Sequence, residues 1–235
     1  MLLDLDGTLL ASSGRALKMD FIRGSLSYLR RRGVSGWRAL KAIHAMRKAI
    51  ERPGAELTNE ERAGLAFARA LGIEKAEARA LMRGMVFEVF PSLRKHFFEI
   101  PEAREFVEWA GARFPITLAT NPVWPREIVE LRLSWAGINP AVFGFITHAS
   151  EMRACKPRVE YYKELLERLR LDPSSALMVG DSERKDLPAS KAGVPVFLLE
   201  AGSTATELIS LRSGVWSGGF APLKGLLERE RILDA

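Results

Sequence analysis

Apolar positions along the chain change rhythm twice. The opening is a short apolar run, Met1 to Leu3, that leads directly into Asp4-Leu5-Asp6-Gly7-Thr8. From Arg15 to about Phe90 the rhythm is helical. Trp37, Leu40, Ile43, Met46 and Ile50 recur every three or four residues, which predicts one apolar helix face. Thr58 followed by Glu61 is a capping-box pattern ahead of Leu65, Phe67 and Leu71, and Gly72 is a natural stop. Another helix fits Lys75 to Phe90, closed by Pro91. Gly33 and Gly36, then Pro53 and Gly54, interrupt the stretch at intervals suited to short connections, so about four helices in a bundle are expected.

From Pro101 onward helices alternate with short apolar strands. Pro101 suits a first helical position ahead of Phe106, Val107 and Trp109, and Ile116 to Ala119 reads as a strand ending in Thr120-Asn121. A helix over Arg126 to Trp135, a strand over Val142 to Thr147 and a helix over Arg158 to Leu169 follow. Ala176 to Val179 is the next strand and ends in Gly180-Asp181; a short helix around Ala189 leads to a strand from Val194 to Leu199. This alternation predicts an α/β fold with a doubly wound, mostly parallel sheet. Ligands in such sheets sit beyond the C-terminal strand ends where the strand order reverses, so Asp4/Asp6, Thr120/Asn121 and Asp181 should converge. The tail is less legible. Gly214, Gly218 and Gly219 suggest a loop after Gly202, then a helix from Pro222 to about Arg231.

Composition changes this picture little, but charge changes it more. Hydrophobic residues make up 47% and charged residues 27%, the balance of an ordinary globular protein. A single cysteine, Cys155, excludes an intramolecular disulfide, and no apolar run has the length of a membrane span or the pattern of a leader, so a cytoplasmic protein is expected. Net charge is +6 and uneven: residues 10–96 hold 18 Lys and Arg against 8 Asp and Glu, a balance of +10, and the remainder balances at −4. Arg30, Arg31, Arg32, Arg38, Lys41, Arg47, Lys48 and Arg52 could face a polyanion. Charged faces of surface helices are usually only solvated, and Arg30 to Arg32 also suit a helix C-terminus. The solvated reading is preferred over nucleic-acid binding.

The chemistry begins with the two carboxylates. On a strand, residues two apart share a face, so Asp4 and Asp6 place like charges side by side, which demands a cation, a shared proton or both. Gly7 permits a tight turn, and Thr8 adds a hydroxyl for a phosphate or metal. Asp4 to Thr8, Thr120, Lys156 followed by Pro157, and the run Gly180 to Asp186 together resemble the four motifs of the haloacid dehalogenase superfamily, in order and after the strands they should follow.

That resemblance covers residues 1 to about 200 and implies a Rossmann-like core, residues 1–9 and 97–235, with an inserted all-helical cap over residues 10–96. It implies Asp4 as nucleophile and metal ligand, and Asp6 as general acid and base that also lends its backbone carbonyl to the metal. Thr120 and Lys156 become catalytic groups, with Thr8 and the backbone N–H of Asn121 on the phosphate. Asp181 becomes a metal ligand, with Asp186 as the second acid of the last motif, on a water at the metal or on Lys156; Glu183 is a lower-ranked candidate for that place. The implied cofactor is Mg2+, and the implied activity is hydrolysis of a small phosphorylated metabolite through an aspartyl-phosphate. A phosphomutase shares the same residues. Dehalogenases of the family lack the second aspartate and use no metal, and phosphonate hydrolases lack an acid at the position of Asp6, so both fit less well.

Remaining candidates carry less. His44, His96 and His148 show no metal-ligand spacing, Cys155 lacks a partner thiol, and Trp124 fits either the border of a site or a gap between helix and sheet. A binding protein that uses the basic helices is the alternative of another class. It has no need of Asp6.

Overall fold

The computed structural model of the chain describes residues 1–52, 56–200 and 208–229. In chain order, β1 (Leu2–Leu3) is followed by β2 (Leu10–Ser12) and then by four helices, α1 (Arg15–Arg30), α2 (Gly36–Glu51), α3 (Asn59–Leu71) and α4 (Lys75–Val89). A 3-10 turn over Phe90–His96 leads into β3 (Phe97–Glu99), α5 (Ala103–Gly111), β4 (Thr117–Leu118), α6 (Arg126–Trp135) and β5 (Phe145–Ile146). Then come α7 (Val159–Leu169), β6 (Met178–Gly180), a 3-10 segment over Leu187–Ala192, β7 (Val196–Leu199), β8 (Ile209–Arg212), β9 (Val215–Gly218) and α8 (Phe220–Arg229).

The seven-stranded sheet has the order β5-β4-β1-β6-β7-β9-β8, parallel except for the edge hairpin of β8 and β9. β1 lies between β4 and β6, with Leu3 opposite Leu118 on one side and Val179 on the other. The chain winds outward from β1 through β4 to β5, then returns to build β6 and β7 on the opposite flank. Order therefore reverses at β1, and its C-terminal end opens into the crevice such sheets use for ligands. Leu2, Leu3, Leu118, Met178 and Val179 are buried, as strands covered on both faces require.

The four helices α1 to α4 enter and leave through an antiparallel ribbon in which Leu10 of β2 pairs with Glu99 of β3 and Ser12 with Phe97. Both junctions of the insertion therefore lie side by side. The capping box at Thr58 and Glu61 is formed, and Gly72 closes α3 in the left-handed conformation with φ of 62°. An aromatic chain joins insertion and core: Trp124 meets Phe21 and Phe90 edge-on at 5.1 and 4.9 Å, and Phe90 stacks on Trp135. Trp124 is thus a packing residue between the two.

Several local expectations need correction. Trp37 and Leu40 are 76% and 43% exposed, because α2 buries Ala39, Ala42, Ile43 and Ile50 instead; small residues at 39 and 42 allow closer packing on α3. The strand expected from Val142 begins only at Phe145, since Pro140 lacks a backbone donor and starts a 3-10 turn over Pro140–Val142. Pro101 precedes α5 by a turn and not at its first position, and the helix around Ala189 is 3-10. Residues 209–218 are not a loop. Gly214, with φ of 70°, makes the turn of a hairpin whose β9 joins the sheet through β7. Pro53, Gly54, Gly202 and Arg231 lie outside the described residues.

Candidate active site

Backbone hydrogen bonds fix the end of β1. The Ala119 N–H donates to Leu3 O at 2.7 Å and the Asp4 N–H to Val179 O at 2.9 Å, which aims Asp4 into the crevice between β4 and β6. The chain then curls: the N–H groups of Leu9 and Leu10 both donate to Leu5 O at 2.9 Å, and that of Gly7 donates to Leu10 O at 2.9 Å. Gly7 has φ of 90°, and a Cβ there would sit 2.2 Å from Asp181 Oδ2, so only glycine lets the turn lie against that carboxylate.

Three carboxylates meet at this point. Asp4, Asp181 and Asp186 each offer an oxygen, all within 4.8 Å of one another. Asp4 and Asp186 are buried, whereas Asp181 is exposed. Lys156, also buried, donates from Nζ to Asp4 Oδ1 at 2.9 Å and to Asp186 Oδ1 at 2.6 Å. Asp186 is held from behind by the Ser182 N–H on Oδ2 at 3.0 Å, and a Cβ on Gly180 would fall 2.3 Å from its carboxyl carbon.

Electrostatics follow from this crowding. Burial pushes the Asp4 carboxyl up to about 7; the Lys156 cation opposes the shift, and Asp186 and Asp6 add to it. Burial works against the Lys156 ammonium, but the carboxylates of Asp4 and Asp186 outweigh it and hold the group above its ordinary value. Asp181 is raised as well, by partial burial first and by Asp186 second. One lysine facing three acids leaves negative charge in excess, and hard oxygen donors at this spacing fit a divalent cation.

The flanking groups fall into two sets. Tyr161 Oη and Thr147 Oγ1 donate to Thr120 O at 3.0 and 2.7 Å and so fix the end of β4. Thr120 Oγ1 and Thr8 Oγ1 are buried with no protein partner, the condition of hydroxyls waiting on a ligand. Asn121 contributes through its side chain, whose Oδ1 accepts the Lys156 backbone N–H at 3.2 Å. Asp6 is turned toward Arg132, whose Nη2 donates to its Oδ1, and its side chain stays outside the three-carboxylate cluster. Glu183 is exposed, whereas Asp186 is in the cluster.

Histidine takes no part in the acidic cluster: His96 bonds Asp20 and Ser13 at the base of the insertion, and His148 is buried, which lowers its pKa. Many of the basic residues in the insertion are internally engaged: Arg31 and Arg32 pair with Glu88, Arg47 with Glu51, and Arg38 donates to Leu71 O.

Sequence reasoning missed Arg132, Tyr161, Thr147 and Asn59. Arg132 left a signal, since it interrupts the apolar stripe of α6 between Ile128, Val129 and Leu133, where a charge must find a buried partner. Tyr161 carried the same kind of signal, a hydroxyl on the apolar face of α7. Asn59 left none, because its partners come from distant loops.

A doubly wound sheet with a carboxylate cluster at its switch point is the arrangement of an α/β protein with a ligand site at its C-terminal strand ends. The chain belongs to the haloacid dehalogenase-like hydrolases, whose family model matches residues 1–193. No curated protein sequence matches it. Among solved structures it is similar to a 2-haloacid dehalogenase from Pseudomonas syringae pv. Tomato DC3000, with a TM-score of 0.63, 19% identity and 97% of each chain covered. It is also similar to a HAD phosphatase from Thermococcus onnurineus, with a TM-score of 0.58, 18% identity and 98% of each chain covered. At these identities the likeness establishes the shared fold. Among the described residues no helix is long and apolar enough to cross a membrane.

Proposed function

We propose that this hydrolase is a Mg2+-dependent phosphatase for a small phosphate monoester and works through an aspartyl-phosphate on Asp4. The observation that carries the reading is the site's balance of charge and donors. Asp4 and Asp186 share one lysine and Asp181 lies beside them without an ion pair among the described residues, while two buried hydroxyls, Thr8 Oγ1 and Thr120 Oγ1, have no protein partner. A dianionic phosphoryl group with its counter-cation satisfies both halves. A neutral haloacid carbon leaves the excess carboxylates unexplained.

Asp4 and Asp181, with the Asp6 carbonyl, would hold a divalent cation, which would supply positive charge to offset that of the phosphoryl group. Asp4 Oδ attacks phosphorus as the ester P–O bond breaks, and Thr8 and Thr120 donate hydrogen bonds to the phosphoryl oxygens. Lys156, fixed on Asp4 and Asp186, balances the growing charge. Asp6 gives its proton to the leaving oxygen, then takes one from the water that opens the acyl-phosphate and restores Asp4. For the first transfer Asp6 leaves Arg132 and takes up a proton from water, which its 38% exposed side chain permits.

The helical insertion acts in this reading as a cap over residues 10–96 that excludes bulk water and limits substrate size. The small cavity of about 40 Å³ between Met46, Met82, Val86, Val123 and Trp124 lies between the insertion and the core and holds none of the catalytic carboxylates. A cleft of about 410 Å³ between Thr58, Glu60, Lys75 and Arg79 holds none of the catalytic carboxylates and is not assigned to the substrate.

A panel of phosphorylated metabolites and an aryl phosphate, assayed for phosphate release with Mg2+ and with EDTA, tests the proposal. Mg2+-dependent release that disappears in Asp4→Asn is expected. Halide release from 2-haloacids without any phosphate release overturns it.

A further inference from the structure

Asn59, the first residue of α3, is one place where the helical insertion reaches into the core, and it is fully buried. Its Nδ2 donates to Pro122 O at 3.0 Å and Ala154 O at 3.3 Å, and lies 3.3 Å from Cys155 Sγ. Its backbone N–H donates to Met152 O at 2.8 Å, and that of Glu60 donates to Ala149 O at 2.9 Å. Arg62, one turn on, orients the amide by donating to Asn59 Oδ1 and anchors to Arg153 O at 2.6 Å. One amide group thus joins the segment that follows Thr120 and Asn121 to the segment that precedes Lys156. Those same segments meet again where the Lys156 N–H donates to Asn121 Oδ1.

We propose that Asn59 is a positioning residue: it holds these two segments at the spacing that sets Lys156 against Asp4, so the site is assembled only while the helical insertion is seated. The catalytic consequence rests on the function proposed above; the seating itself does not. Two carbonyls and a thiol surround the amide nitrogen, and only a donor satisfies them. Asn59→Asp keeps the volume and places an oxygen against those acceptors.

Cys155 is the chain's single cysteine and is buried, so its reaction with an aromatic disulfide reports opening of this contact. Labelling is measured without substrate, in EDTA, on the full chain, together with hydrogen exchange of the Lys156 amide. Asn59→Asp is expected to speed both at least tenfold, and Arg62→Gln, which leaves the amide in place, at least threefold. Lys41→Ala, on the exposed side of α2, is expected to change neither. Rates within twofold of the parent in folded Asn59→Asp overturn the proposal. If that variant does not fold, the same result in Arg62→Gln overturns it. In the phosphatase assay kcat is expected to fall at least tenfold with KM within threefold, and an unchanged kcat beside fast labelling overturns the positioning role. A parent inactive on every phosphate monoester defeats the proposed function, while the Lys156 amide still decides the role of Asn59.

Discussion

Arg132 Nη2 bonds Asp6 Oδ1 across 126 residues of sequence, from within a helix to the loop that follows the first strand. The guanidinium is buried, and its Nε and Nη1 find no protein partner. Asp6 is its one charged contact among the described residues. The two partners should therefore respond unequally to removal. Asp6→Ala leaves an uncompensated buried cation and is expected to cost on the order of 3 kcal/mol. Arg132→Met removes the cation with its unpartnered donors and leaves a half-exposed carboxylate to water, so a change within about 1 kcal/mol is expected. Urea denaturation of both variants checks the order; an equal loss, or a larger one in Arg132→Met, contradicts it.

The raised carboxyl of Asp4 sets a pH dependence for the metal-free protein. Its ordinary value is 3.8 and its folded value about 7, so between these the folded chain holds a proton that the unfolded chain releases. Stability from this group is complete below about pH 4. It falls as pH rises toward 7 and is level above. His148 runs the other way, since burial lowers its pKa and stability is lost as it is forced to charge in acid. Subtracting the profile of Asp4→Asn from that of the parent, both in EDTA, isolates Asp4. The difference should decline from pH 4 to 7, and a flat one counts against burial of the Asp4 carboxyl outweighing its contact with Lys156.

Cation binding should be visible without turnover. A ligand at a hundred times its dissociation constant stabilises the folded state by about 2.7 kcal/mol, so Mg2+ is expected to raise the melting temperature and EDTA to reverse the rise. Asp181 is exposed and makes no ion pair among the described residues, so Asp181→Asn should melt like the parent in EDTA yet lose the Mg2+ shift. A parent-like shift in that variant places the ion elsewhere.

What was legible in the sequence followed from local rules. The opening apolar run and the alternation after Pro101 define parallel strands whose ends carry Asp4, Thr120 and Asp181, and the capping box at Thr58 needs only residues three apart. Helix α2 shows where such rules stop: its periodicity is correct, yet Trp37 and Leu40 face outward because Ala39 and Ala42 allow the closer approach to α3. The hairpin of β8 and β9 was hidden because a glycine-rich stretch reads as loop until a sheet edge is there to pair with it. At the site, Asp4 and Asp181 were legible as acids at strand ends and Asp186 through the resemblance, whereas the spacing that set Asp6 beside Asp4 did not show its turn toward Arg132. The residues that orient them, Arg132 and Asn59, depend on contacts made across the whole fold.

Two glycines make the close approach of the carboxylates possible, and alanine at each should separate their duties. At Gly7 the positive φ strains any side chain by about 1–3 kcal/mol, and a Cβ 2.2 Å from Asp181 Oδ2 displaces that carboxylate. Gly7→Ala is therefore expected to weaken Mg2+ affinity at least tenfold. At Gly180 the added carbon meets the Asp186 carboxyl carbon at 2.3 Å, so Gly180→Ala should disturb the Lys156 contact and lower kcat more than it weakens Mg2+ binding. Gly64, inside α3, has no atom within 4 Å of its missing Cβ. Gly64→Ala should leave both readouts unchanged and stabilise the helix by about 0.5–1 kcal/mol. Mg2+ titration by calorimetry beside steady-state kinetics checks all three, and a Gly7→Ala protein that binds Mg2+ as the parent does shows that Asp181 is not a ligand.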